Sequence, residues 1–199
     1  MHMEKYTPTK RGFDEHVGYY QGCESAYTHV ASCCAAGSPT NDSAFTCDAP
    51  KGKDFRGYDW FRRGIPDLSA NQTNSATLIR DAAVDFISRQ PTDQSFFLYL
   101  PFQNVHAPYT CDAASRARYM SSGLTAGEKT LFGYISELDD AVGAVVSALR
   151  AHGRYNHSVV VFSSDNGAPP AGEDVDHQVR NLPTPPSFHG LPWPSMAFH

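Results

Sequence analysis

Residues 158–167 read S-V-V-V-F-S-S-D-N-G, and the fold turns on them. Val159, Val160, Val161 and Phe162 form an unbroken β-branched and aromatic run, the pattern of a strand buried on both faces. Such strands belong to parallel sheets covered by helices on either side. Asp165, Asn166 and Gly167 follow at once. In an open α/β sheet, ligands bind in the crevice beyond the carboxyl ends of the strands. A carboxylate and an amide oxygen placed there are hard donors of the kind calcium or magnesium takes. Asp-Asn-Gly is also a plain turn signal, since all three residues favour one.

Working outward, Thr125 and Glu128 form a capping box, and Leu131, Ile135, Leu138, Val142, Val145 and Leu149 make an apolar stripe that Gly153 ends. The spacing predicts a helix over 125–152 that leads through Asn156 into the 158 strand. Asp139 and Asp140 stand side by side in it, but neighbours on a helix point about 100° apart. They read as a solvated face or a local polar contact, not a catalytic pair. Upstream, S-F-F-L-Y-L-P-F (95–102) reads as a second buried strand. Leu78, Ile79, Ala82, Ala83, Phe86 and Ile87 predict a helix over 74–90, capped by Thr73 or Asn74 and stopped by Pro91. Strand, helix and strand in that order make a parallel crossover, so the fold class is α/β. His106, in Q-N-V-H-A-P, then lies just past a strand end, as Asp165 does. A lone histidine in a proline-bounded loop is by itself more often structural than catalytic.

The flanks are less regular. Residues 1–70 are rich in Gly, Tyr, Pro and Cys and read as loops and short extended pieces. Residues 168–199 hold Pro169, Pro170, Pro183, Pro185, Pro186, Pro192 and Pro194 and keep no period, so they read as a poorly ordered, divergent tail. The 199 residues carry a net charge of −5 with no basic run, which suggests neither disorder nor a nucleic-acid partner. No apolar stretch approaches the ~20 residues that span a bilayer, and the first residues lack an apolar signal core. No C-x-x-C pair occurs among Cys23, Cys33, Cys34, Cys47 and Cys111, which argues against structural zinc. Cys33 or Cys34 with Cys47 would close a loop worth about 3 kcal/mol, and free thiols suit the spacing nearly as well. Sequons at Asn41, Asn71 and Asn156 favour a secretory compartment.

Taken together, P-T-K-R-G-F-D (8–14), G-Y-Y-Q-G (18–22), F-F-L-Y-L-P-F-Q-N-V-H-A-P (96–108), L-D-D-A-V-G (138–143) and V-V-V-F-S-S-D-N-G (159–167) resemble the sulfatase family, most closely its arylsulfatase B group. The resemblance covers roughly residues 8–167, in the family's order. It implies an alkaline-phosphatase-like fold with a mainly parallel central sheet flanked by helices, present here in part. It implies sulfate-ester hydrolysis with bound Ca2+ and a formylglycine nucleophile made from a cysteine. Asp165 and Asn166 then resemble calcium ligands, and His106 the histidine that contacts the sulfate and assists the leaving alcohol. Pairing of Cys33 or Cys34 with Cys47, and a glycan on Asn156, are implied in the same way. So is a lysosomal or secreted location, with a sulfated small molecule or sulfated glycan as substrate.

The departures from the family bear on activity. The nucleophile motif C-x-P/A-S-R, the paired aspartates of the first strand, K-x-H-L-G and the later R-G-x-K segment are not found in the sequence. Cys111-Asp112-Ala113-Ala114-Ser115-Arg116 is one residue too long and on the wrong side of His106. Residues 1–167 are therefore expected to be a partial sulfatase catalytic domain, inactive alone. Two alternatives stand beside that expectation. One is a phosphodiesterase or phosphatase of the same superfamily, and the other a truncated protein that only binds a partner or calcium. A piece that fails to fold without its missing strand is a third.

Overall fold

Asn74 turns its side chain back to accept from the Ala76 N–H, and helix α1 (Ser75–Arg89) starts there. It ends two residues before Pro91, with Gln90 as its C-cap, as the sequence requires, burying Ile79, Ala83 and Ile87 along one side. Asp112 caps the short helix α2 (Ala113–Ala117) by accepting from the Ser115 N–H. Helix α3 (Ala126–Ala151) opens with the complete capping box. Glu128 N–H donates to Thr125 Oγ1 at 3.3 Å, and Thr125 N–H donates to Glu128 Oε2 at 2.7 Å. Gly153 follows its C-cap at φ +67°, the left-handed turn that glycine adopts without strain. These are the bounds that the spacing predicts, within a residue.

The computed structural model describes residues 4–21, 24–33, 55–106 and 109–167. The expected Pro-rich tail, the cysteines Cys23, Cys34 and Cys47 and the sequon at Asn41 lie outside them, as does the side chain of Cys33. Among the described residues no helix is long and apolar enough to cross a membrane.

Helices α1 and α3 run in the same direction. Asn74 at the start of α1 bonds Glu137 in α3, and Ile87 near its end packs with Ala148 and Leu149. The segment 96–102 returns along them the opposite way. Phe96 and Leu98 pack on the Ile87 cluster, and Leu100 and Phe102 on a second cluster of Trp60, Ala70 and Ile79. That order carries the chain back to the start of α1, where Gln103 meets Ser75. Two small antiparallel sheets brace this end. β1 (Val17–Gly18) pairs with β4 (Phe61–Arg62), which pairs with β5 (Ile65–Pro66), while β2 (Val30–Cys33) pairs with β3 (Phe55–Tyr58). They agree with the reading of the first 70 residues as loops and short extended pieces.

The buried face of α3 differs from its apolar stripe. Gly133, Tyr134, Ser136, Glu137, Ala141, Ala148 and Leu149 are buried, whereas Ile135 is 41% exposed. Small and polar residues let α1 and α2 approach closely, and that contact, not hydrophobicity, selects the inner face.

The two predicted buried strands require correction. Neither 95–102 nor 158–162 belongs to a ladder among the described residues, and the only strand pairs described are antiparallel. Helices cover one side of the first run, leaving Phe97 75% and Tyr99 65% exposed. Val159 is 92% exposed and Phe162 73%. A strand of a parallel sheet takes its backbone partners and its second cover from neighbouring strands and helices, and the described residues contribute only the first layer.

Arg154, just beyond α3, spans to the end of α1. Its guanidinium donates to the carbonyls of Gln94 (3.0 Å), Gln90 (3.4 Å) and Pro91, while its own carbonyl accepts from Ser158 Oγ at 2.9 Å.

Candidate active site

The polar residues that follow the 96–102 run form a tightly held turn. Gln103 is buried, its Oε1 accepting from Ser75 Oγ at 3.0 Å and its Nε2 donating to the Glu24 carbonyl at 2.5 Å. Asn104 Nδ2 donates to the Tyr134 carbonyl of α3 at 2.9 Å. The Asn104–Val105 peptide is cis. His106 N–H donates to the Gln103 carbonyl at 2.8 Å, closing the turn, and the His106 side chain is exposed. His106 thus lies on the surface beside the start of α1, on a turn anchored to α1, α3 and the Glu24 loop.

Beneath the turn, His29 and Glu24 are fully buried with Nδ1 and Oε1 3.1 Å apart. Burial raises the Glu24 carboxyl above its ordinary range, and the bond to His29 opposes that rise. Asp59, also buried, accepts from the Tyr20 and Gln21 N–H groups, with the shortest contact 2.7 Å. Glu137 accepts from Asn74 Nδ2 at 3.0 Å and from the Asp112 N–H at 2.6 Å, so one carboxylate ties α1, α2 and α3 together.

Asp165 and Asn166 are exposed and make a local turn. Asp165 Oδ1 accepts from the Asn166 N–H at 2.8 Å, and Asn166 Nδ2 donates to the Gly167 carbonyl at 2.9 Å. Their oxygens are of the class calcium takes, but the ion needs six to eight. No cluster of three or more His, Cys, Asp or Glu suited to a metal occurs among the described residues. The donors present do not make a calcium site by themselves.

Further residues singled out in the sequence lie on or beside α3. Asp139 and Asp140 are both exposed, and Asp140 forms an ion pair with Arg118. Cys111, rejected as a nucleophile, is a free thiol lying where a Cβ on Gly133 would project. Burial, then the Glu137 carboxylate, push its pKa up, which favours the thiol over the thiolate.

The sulfatase family model matches residues 3–189. The chain belongs to the sulfatase family. It is 29% identical to arylsulfatase J of Mus musculus over 177 residues, which is 87% of this chain and 26% of that protein. It is 31% identical to N-acetylgalactosamine-6-sulfatase of Sus scrofa over 174 residues, 84% of this chain and 28% of that protein. The sequence therefore spans about a quarter of the length of these sulfatases. Among solved structures, Ps i-CgsB in complex with k-i-k-neocarrahexaose superposes with a TM-score of 0.59 at 22% identity, covering 77% of this chain and 32% of that one. The fold is that of the sulfatases, alkaline-phosphatase-like and mixed α/β, represented in part.

Sequence reasoning singled out His106, Asp165 and Asn166 as candidates and did not point to the groups that hold the His106 turn. Gln103 and Asn104 carried a visible signal, two amides directly after an apolar run. Glu24 and His29 carried none, because their partners are Ala70, Thr73 and Gln103.

Proposed function

We propose that this chain is part of a sulfuric ester hydrolase of the arylsulfatase type. The observation that carries the reading is the anchored turn: an exposed histidine on a turn whose Gln103 and Asn104 side chains bond α1, α3 and the Glu24 loop, within a chain of the sulfatase family. His106 meets the bridging oxygen of the sulfate ester and donates a proton or hydrogen bond as the alcohol leaves. Asp165 and Asn166 supply two of the oxygens for Ca2+, the remainder coming from outside the described residues. Calcium, when bound, neutralises charge on sulfate oxygens. The formylglycine nucleophile lies outside this sequence, and the 199-residue chain is inactive alone. Residues 1–167 are the partial catalytic domain and 168–199 a Pro-rich tail, into which the family match runs as far as residue 189.

The relatives' names support a sulfated glycan or sulfated small molecule as substrate: one is an N-acetylgalactosamine-6-sulfatase, and the structural neighbour was solved with k-i-k-neocarrahexaose. The three sequons support a lysosomal or secreted location.

The test is to sequence the native transcript across both ends and assay the encoded protein on an aryl sulfate. A C-x-P/A-S-R motif in frame upstream, with a 10²–10⁴-fold lower kcat for His106→Ala (roughly the worth of a general acid), is the expected result. A threonine at the nucleophile position with phosphate-ester hydrolysis would move the protein to the phosphatase branch of the superfamily. A transcript limited to these 199 residues would remove hydrolysis altogether and leave a binding role.

A further inference from the structure

Three segments distant in sequence meet at the imidazole of His29. Its Nε2 lies 3.1 Å from the Ala70 carbonyl oxygen and 3.0 Å from that of Thr73. Carbonyl oxygens only accept, so Nε2 carries a hydrogen. The line from Nδ1 to Glu24 Oε1 then holds one proton, either on His29 as an imidazolium facing a carboxylate or on Glu24 as an acid facing a neutral ring. Removing that proton would set a lone pair against a buried carboxylate. Trp60 lies against the ring with centroids 4.5 Å apart, and Tyr58 meets it edge-on at 6.1 Å.

The groups around this pair leave it little other choice. Asp59 turns its carboxylate to the Tyr20 and Gln21 N–H groups, and α1 contributes uncharged Asn74 and Ser75 at this end. Tyr58 gives its hydroxyl to the Asp67 carbonyl at 2.6 Å. Glu24 Oε2 is buried with no hydrogen-bond partner among the described residues. The backbone of Glu24 then continues the chain of contacts: its carbonyl accepts from Gln103 Nε2, and Gln103 accepts from Ser75 and, through its own carbonyl, from the His106 N–H.

We infer that His29, Glu24 and Gln103 are positioning residues that fix the turn carrying His106, with Gln103 as the link between the buried pair and the surface histidine. This rests on the reading of His106 as the group that meets the substrate ester. The order of the turn, however, is measurable with no hydrolysis at all.

The experiment is amide hydrogen exchange and histidine-ring NMR on the full 199-residue chain with Gln103→Leu and Gln103→Glu. Loss of two buried hydrogen bonds in Gln103→Leu should speed exchange of residues 104–106 about tenfold or more. The His106 ring resonance should shift while interior amides of α1 and α3 keep their rates. In Gln103→Glu the protonated acid can still donate to the Glu24 carbonyl and accept from Ser75, whereas the ionised form cannot donate. Its turn should be ordered at acid pH and loosen as that carboxyl titrates, beyond any change in the wild type over the same range. If Gln103→Leu does not fold, the pH response of Gln103→Glu decides alone. Unchanged exchange at 104–106, or a Gln103→Glu turn indifferent to pH, would overturn the inference. Full hydrolysis by a His106→Ala enzyme would instead defeat the catalytic reading and leave the turn result standing.

Discussion

Glu137 is buried in the middle of α3, with one carboxylate oxygen accepting from Asn74 and the other from the Asp112 N–H. Truncation leaves the buried Asn74 amide and the part-buried Asp112 N–H without this acceptor, so Glu137→Ala should cost about 2 kcal/mol. Urea unfolding measures it, and a loss below a few tenths would mean the donors find water. Burial, as the largest influence, raises this carboxyl above its ordinary 4.5. The native state therefore holds the proton more tightly than the unfolded chain does. The stability linked to that proton is fully present below pH 4.5 and is lost as pH rises through the raised native pKa. Glu137→Gln removes the titration, so the stability difference, wild type minus variant, should fall as pH rises from 4.5 towards neutrality. A difference that grows with pH would refute this. Glu15 has the opposite sign, because its bond to Arg89 lowers its pKa and that contribution disappears on acidification.

At the scale of elements, both long helices were legible because their ends are local. Asn74 before α1, and Thr125 with Glu128 before α3, need no information beyond a few neighbours in sequence. Thr125→Ala should therefore lower stability by about 1 kcal/mol, read as a shift in the urea midpoint without a change in slope. The inner face of α3 was not legible, because Tyr134 and Glu137 face partners from α1, α2 and the 103–106 turn. Gly133 shows the closeness of that packing: a Cβ there would stand 2.6 Å from Cys111 Sγ and 3.1 Å from the Arg116 nitrogen. Gly133→Ala should destabilise the protein by about 1–3 kcal/mol. Adding Cys111→Ala should restore part of the loss but not all, since the Arg116 backbone remains in place. Full recovery, or none, in the double variant would contradict this contact geometry. At the site, His106 and the Asp165-Asn166 turn stood out as motifs. The Glu24–His29 pair could not, since residues 24, 29, 70, 73 and 103 share no periodicity.

For the whole molecule, the decisive feature is large apolar side chains left exposed among the described residues. Phe97, Tyr99, Val159, Val161 and Phe162 are each more than half exposed. Exposed apolar side chains of this size favour association, and backbone outside any ladder among the described residues offers a template for pairing. The isolated 199-residue chain is expected to self-associate with rising concentration in sedimentation velocity. Val159→Lys with Val161→Lys should suppress that association while leaving helix content by circular dichroism unchanged. A wild-type chain that stays monomeric throughout would show that these runs are covered in solution.

Arg154 gives those two runs a shared origin. Its guanidinium holds the Gln94 carbonyl 60 positions away in sequence, and its own carbonyl holds Ser158. These contacts close the polypeptide between residues 94 and 154 into a loop. A loop of that length carries a closure cost of a few kcal/mol that grows with the logarithm of its length. That entropy is spent within the helical layer, so one residue, through its side chain and its own carbonyl, tethers the starts of both runs.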